Sequence, residues 1–159
     1  MTDFQKIYKL YSADIYRFAY YLCKDVHEAE DITAETFARI ISGKSPLKSE
    51  TVKSYLFTIA RNLFLEGLRR KKREQNADRK NSVDMVDPET SLNEKDELNA
   101  LQRYLDIFAE SDRTALLLRA EGFSYQEIAQ TLSLSLASAK VKVHRMRLKL
   151  AEWRANREK

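Results

Sequence analysis

The chain has 159 residues, 43% hydrophobic and 33% charged, enough to bury one modest core or two small ones. With 3 glycines, 2 prolines and no convincing period-two alternation, it is expected to be all-α, without a sheet. One cysteine, Cys23, excludes an internal disulfide and fits a reducing cytoplasm; no apolar run approaches membrane-spanning length, and Met1–Tyr20 lacks a signal peptide's basic-then-apolar order.

Phe4, Ile7, Tyr8, Tyr11, Ile15, Phe18 and Leu22 recur at helical spacing and predict a first helix. Asp25 with Glu28 forms a capping box for a second, whose Ala29, Ile32, Thr33, Phe37 and Ile40 face inward. Its outer surface carries Asp25, Glu28, Glu30, Asp31 and Glu35. The helix macrodipole accounts for the first acidic turn, but less well for Asp31 and Glu35, which leave room for a protein-binding face.

Ser42–Ser49 reads as a loop from its Gly, Ser and Pro residues. A third helix is expected from about Glu50 to Arg73, with Val52, Leu56, Ile59, Ala60 and Leu63 inward. It interleaves Tyr55, Phe57 and Phe64 with Arg61, Asn62 and the run Arg69 to Arg73. Aromatic faces can stack on unpaired bases while cations hold the backbone. Aromatics at helical spacing are more often core, so at least one of the three is expected to be buried.

Residues 74–90 lack apolar periodicity, contain Asp87-Pro88, and read as a flexible acidic linker. Ser91 with Glu94 opens a fourth helix, with Leu98, Leu101, Leu105 and Phe108 inward. A fifth begins at Ser111 or Asp112, runs through Leu116 to Leu118 and ends near Gly122.

Ser124 to Arg147 carries the most specific local pattern. Ser124 and Glu127 form a capping box before Ile128, Ala129 and Leu132, the periodicity breaks near Ser133, and Ser135 offers a new N-cap. Leu136, Ala139, Val143, Met146, Leu150 and Trp153 then form an apolar stripe, with Lys140, Lys142, His144, Arg145 and Arg147 largely outside it. Small Ala129 and the basic outer face fit a helix-turn-helix with its second helix in a DNA groove; a helical hairpin with a solvated basic face is the plainer reading.

The net charge of +4 is unevenly spread: residues 53–73 carry seven Lys/Arg against Glu66 alone, residues 74–97 eight acidic against three basic, and residues 136–159 eight basic against two acidic. Two basic elements around an acidic connector suggest two grips on a phosphate backbone. No Gly-rich phosphate loop, nucleophile elbow or metal-ligand set is present, so an enzyme is not expected and no cofactor is implied. Cys23 and His27 lie one turn apart, but two ligands do not close a metal site.

The segments YRFAYYLCKDVHEAEDITAETFARI, SYLFTIARNLFLEGLRRKKR and RTALLLRAEGFSYQEIAQTLSLSLASAKVKVHRMRLKL, in this order and at this chain length, resemble the extracytoplasmic-function (ECF) sigma factors of the sigma-70 family. The resemblance implies residues 1–73 as a region 2-like domain, 74–90 as linker and 91–159 as a region 4-like helix-turn-helix domain. It implies that Asp31, Glu35 and Phe37 meet the clamp helices of the largest subunit of RNA polymerase, with the flap of the second-largest subunit as a further contact. Lys44, Lys48, Tyr55, Arg61, Asn62, Arg69 and Arg70 would face the −10 element, and Ser138, Lys140, Lys142, His144, Arg145 and Arg147 the −35 element. Glu66 replaces the family's Asp, Phe108-Ala109-Glu110 its Leu-Pro, and Ser133 and Ala137 two glycines. An anti-sigma factor is a further implied partner; no membrane insertion is implied. A stand-alone helix-turn-helix regulator is the alternative function.

Overall fold

The computed structural model describes residues 3–43, 52–77 and 94–158. Among these the chain is helical and has no strand: α1 (Asp3–Cys23), α2 (Val26–Ile41), α3 (Val52–Ala77), α4 (Glu94–Leu105), α5 (Glu110–Ala120), α6 (Tyr125–Leu132) and α7 (Leu136–Arg157). The all-α expectation holds, with three helices in a first half and four in a second.

In the first half, Ile15, Phe18, Ala19 and Leu22 of α1 pack with Ala29, Ile32, Phe37 and Ile40 of α2 and with Leu56, Phe57, Ala60 and Phe64 of α3. The chain turns from α1 to α2 through Lys24, at φ 59°, whose N–H donates to the Tyr20 carbonyl. Asp25 caps α2 by accepting from the Glu28 N–H at 2.9 Å. The expected return bond of the capping box is not made, because the Glu28 carboxylate takes Lys71 Nζ at 2.9 Å, tying α2 to α3 instead. Two buried hydroxyls, Thr33 and Thr36, satisfy themselves on the carbonyls one turn back, Ala29 and Ile32, at 2.7 Å each.

Of the three aromatics on α3, Phe57 and Phe64 are core and Tyr55 is 37% exposed. The helix also runs past Arg73 to Ala77. Glu74, Gln75 and Asn76 supply no apolar stripe but include neither Gly nor Pro, so nothing stops a helix already under way.

In the second half, Thr114, Ala115 and Leu118 of α5 are buried together with Ile128, Ala129 and Leu132 of α6 and Ala139, Val143 and Met146 of α7. α5 starts at Glu110, one residue before the earlier of its expected starts, on an Ala109 N-cap that gives no side-chain hydrogen bond. Gly122 follows it at φ +91°, a conformation that favours glycine. α4 departs from expectation more: Leu98 is 53% exposed, and Leu101, Leu105 and Phe108 are only partly buried. Ser91, its expected cap, lies outside the described residues.

The two halves share one core. The ring of Phe57 packs on Phe18 within its own half at 4.9 Å between centroids, and on Phe123 of the other half at 5.0 Å, tilted and edge-on respectively. Phe57 and Phe123 are both fully buried. Replacing Phe123 by Ala removes a ring from this seam and is expected to cost about 3–5 kcal/mol. Denaturant unfolding should show the midpoint falling for probes in both halves; a loss confined to the second half would mean the halves are not coupled.

Candidate nucleic-acid interface

The helix-turn-helix is set by its caps. Ser124 Oγ accepts from the Glu127 N–H at 3.1 Å, and Glu127 Oε1 accepts from the Ser124 N–H at 2.8 Å, so both bonds of the expected box are present. α6 ends at Ser133, which adopts the left-handed conformation (φ 56°, ψ 48°), and the Leu134 N–H returns to the Ala129 carbonyl at 2.8 Å. Ser135 then caps α7, its Oγ accepting from the Ser138 N–H at 3.1 Å. Along α7 the buried residues are Ala139, Val143 and Met146, the centre of the expected stripe; Leu150 and Trp153 are half-buried and Leu136 is exposed.

That packing decides which cations are free. Ser138, Lys140, His144, Arg145 and Arg147 are exposed on α7, with Lys140, His144 and Arg147 at i, i+4, i+7 along one side. Lys142 differs from its neighbours. Its Nζ lies 2.7 Å from Asp112 Oδ1 and 3.4 Å from Ser111 Oγ, so it ties α7 to the first turn of α5 and is only partly accessible.

On α3, Tyr55, Asn62 and Arg69 are exposed and seven residues apart, which sets them along one side of the helix two turns from each other. Arg70 is exposed as well. Arg61 is held across the seam: its Nε and Nη2 each donate to the Glu110 carboxylate at 2.8 Å, with only 15% of the Arg61 side chain exposed. Lys53 was not anticipated from sequence; its Nζ donates to the Glu121 carbonyl at 2.7 Å and sits 4.9 Å from the centroid of the Phe123 ring. Its signal was only its place at the start of a basic helix. Lys44 and Lys48 lie outside the described residues.

Asp31 and Glu35 are exposed one turn apart on α2, Glu35 reaching Arg39 at 3.3 Å. Phe37 is not part of that surface. It is 2% exposed, edge-on to Tyr8 at 4.9 Å and to Phe4 at 6.3 Å, and so supports the face from beneath. A further cluster escaped the sequence reading: Tyr104 stacks on Trp153 at 5.9 Å, meets Phe108 at 5.2 Å and donates its hydroxyl to the Lys149 carbonyl at 3.1 Å. Its only sequence cue is that Tyr104 lies one turn before Phe108.

Glu110 is the most tightly engaged carboxylate at the seam. Burial opposes its ionisation, but hydrogen bonds from Arg61 and from the Thr114 hydroxyl, with the charges of Arg61 and Arg113, outweigh it and hold the carboxyl below its usual range. Cys23 carries no comparable role: burial pushes its thiol up, and its Sγ lies 3.4 Å from the Asp25 carbonyl. Among the described residues no group of three or more His, Cys, Asp or Glu could hold a metal ion.

A capped helix-turn-helix with a free basic face, joined to a second helix carrying exposed aromatic, amide and guanidinium groups, gives an all-α chain with two surfaces of the kind that can grip nucleic acid. Residues 7–74 match Sigma-70 region 2, and residues 98–150 match Sigma-70, region 4. The chain is 32% identical over 161 residues to the ECF RNA polymerase sigma factor SigE of Mycolicibacterium smegmatis, covering 98% of this chain and 63% of that relative, less than two thirds of its length. It is 30% identical over 148 residues to the ECF RNA polymerase sigma factor SigM of Bacillus subtilis, covering 91% of each. The sigma factor RpoE of Bartonella quintana, solved in complex with the anti-sigma factor NepR, superposes with a TM-score of 0.74 at 26% identity over 96% of both chains. The chain belongs to the ECF sigma factors of the sigma-70 family.

Two outcomes follow from the local geometry. Ser133→Gly relieves the left-handed strain at the motif's turn and is expected to raise stability by about 1 kcal/mol or less, measured as a higher denaturant midpoint with DNA binding unchanged. Glu110, with its carboxyl lowered in the folded chain, contributes stability that is complete above the ordinary carboxylate range and is lost as pH falls through the lowered value. Melting temperatures of the parent and Glu110→Gln should therefore differ at neutral pH and converge in acid.

Proposed function

We propose that this chain works as a promoter-specificity subunit that binds the RNA polymerase core and grips promoter DNA at two places. The observation that carries the reading is the presence, in one chain, of a region 4 helix-turn-helix with a free basic face and a region 2 helix with Tyr55, Asn62 and Arg69 on one side. In the proposal, α7 enters the major groove of the −35 element with Ser138, Lys140, His144, Arg145 and Arg147, while Lys142 keeps the helix at its angle to α5. Lys lacks the planar fork of Arg, so Lys140 holds phosphate while Arg145 and Arg147 are the better placed to read bases.

At the −10 element the work is melting. A base flipped out of the stack costs a few kcal/mol, which a receiving pocket must offset. Tyr55 offers a face for stacking, Asn62 an amide for a base edge, and Arg69 and Arg70 a hold on the strand; Arg61 joins them once released from Glu110. Lys44 and Lys48, which precede α3 in sequence, belong to the same proposal. The exposed pair Asp31 and Glu35 is the proposed contact for the clamp helices of the largest subunit, and the second half for the flap of the second-largest. Residues 1–73, 74–90 and 91–159 are the proposed functional divisions. Sigma factors are initiation factors, so the catalysis of RNA synthesis belongs to polymerase.

The family membership favours this reading over a stand-alone regulator. Among the described residues no helix is long and apolar enough to cross a membrane, which agrees with a proposed site of action in the cytoplasm. An anti-sigma factor is a proposed regulator, as for the Bartonella relative solved with NepR.

Run-off transcription with purified core polymerase and mapped 5′ ends tests the whole. Specific initiation is expected with the chain present and not without it; no initiation on any host promoter would refute the proposal. Changing Lys140, Arg145 and Arg147 singly to Ala should weaken −35 duplex binding, by about 1–3 kcal/mol where a bidentate base contact is lost and with a shallower salt slope where a phosphate contact is lost. Unchanged binding in all three would remove α7 from the groove.

A further inference from the structure

We infer that Val141, on the outermost line of α7, is a specificity-determining residue that reads a thymine of the −35 element through its 5-methyl group. The inference rests on the proposed placing of α7 in the major groove, and it names the base chemistry that the helix selects. What carries it is an apolar ridge running along the middle of the helix face that would meet DNA.

The buried residues of α7, Ala139, Val143 and Met146, fix which side of the helix faces the core. At about 3.6 residues per turn, Val141 and Leu148 lie roughly 170° round the helix from the middle of that stripe, and Ala137 roughly 150°. Val141 is 50% exposed, Leu148 is 53% exposed, and Ala137 is exposed as well. Basic side chains stand on both flanks of this ridge: Lys140, His144 and Arg147 on one, Arg145 and Lys149 on the other. A helix lying in the major groove turns its outermost line to the floor of base edges and its flanks to the two phosphate walls. The side chain that this geometry aims at the floor is a valine.

An exposed apolar residue by itself needs no explanation. Val141 is set apart by what it does to the helix and by its neighbours. A β-branched side chain is less favourable than Lys, Arg or Ala at a solvent-facing helical position, so α7 gains nothing from valine there. Ser138, His144 and Arg145, one turn to either side on the same face, are exposed and supply the hydrogen-bond donors that valine lacks. Contact with an apolar group is the one interaction left to it.

Among the bases only thymine puts a methyl group on the major-groove floor. That methyl can bury against the two methyls of the valine. The amino group of cytosine, O6 and N7 of guanine, and N6 and N7 of adenine would instead lose water to a side chain that cannot replace it. Val141 thus selects by attraction for one base and by desolvation against the other three. It lies in the second turn of α7, and the N-terminal residues of a recognition helix are the ones that reach base edges. Leu148 stands about 10 Å further along the helix, past that stretch.

The test uses the full chain bound to core polymerase and a promoter duplex from a mapped start, its −35 window randomised. Selection should return a thymine at one position, on either strand, and Val141→Ala should lose that preference while keeping the others. Replacing that thymine by deoxyuridine then removes the methyl group and nothing else. The parent should bind the deoxyuridine duplex roughly fourfold more weakly, the effect of one buried methyl group, and Val141→Ala should bind both duplexes alike. Alanine is the better helix former and position 141 is exposed, so the variant should melt no lower than the parent. A parent that binds the two duplexes alike, or a Val141→Ala chain that keeps the full methyl effect, would overturn the inference and leave α7 in the groove. Weaker binding of Val141→Ala to core polymerase, with the methyl effect intact, would overturn it and give the ridge to a protein contact. A parent with no −35 preference at all would remove the proposed placing of α7, and this inference with it.

Discussion

The structure depends on a short row of rings, Phe18, Phe57 and Phe123, that crosses from one half of the chain to the other. All three are almost completely withdrawn from water. Burying one such side chain is worth about 1.5–3 kcal/mol, and a well-oriented ring pair adds about 0.5–1.5 kcal/mol. The ion pairs around them belong to a different category. An exposed or half-exposed pair contributes about 0–1 kcal/mol, and a more buried one must first repay its desolvation. The rings supply adhesion; the charges fix which residues face each other.

This division explains how α3 can be both core and the proposed DNA-contacting surface. On one side Val52, Leu56, Phe57, Ala60 and Phe64 pack inward, and on another Tyr55, Asn62 and Arg69 remain free. At 26 residues the helix is about 39 Å long, more than a small core can cover, and Arg69 to Asn76 all stand exposed. Lys71 in that stretch is brought back by Glu28 of α2. The hydrogen bond from that carboxylate, set against modest desolvation, raises the lysine above its usual range and keeps it charged.

What could be read from sequence follows how local each feature is. The helix-turn-helix was legible to the residue because Ser124, Glu127 and Ser135 act within three positions of themselves, and helical period alone placed Ile128, Ala129, Leu132, Ala139, Val143 and Met146 inside. Arg61 was legible as a basic residue on an amphipathic helix, but its partner lies 49 positions away and no local pattern points there. Lys142 looked like Lys140 for the same reason, since only the fold brings Asp112 beside one and not the other. Phe37 shows the converse: a motif match marked it for a partner surface, while its own inward periodicity had already assigned it to the core. Leu98 failed because period predicts a stripe, not the depth of the surface the stripe meets.

The first turn of α5 draws these threads together. Acidic side chains there are favoured by the helix macrodipole, and Glu110 and Asp112 are both present. Glu110 reaches α3 through Arg61, and Asp112 reaches α7 through Lys142, so a single turn of helix touches both proposed DNA-contacting helices. The two attachments are not equal. α5 and α7 pack closely through Thr114, Ala115, Leu118, Ala139 and Val143, and Glu110 of α5 meets Arg61 of α3 in an ion pair. The Asp112–Lys142 contact is thus backed by a shared buried core within the second half, and the Glu110–Arg61 contact is the α5 tie that reaches across to the first.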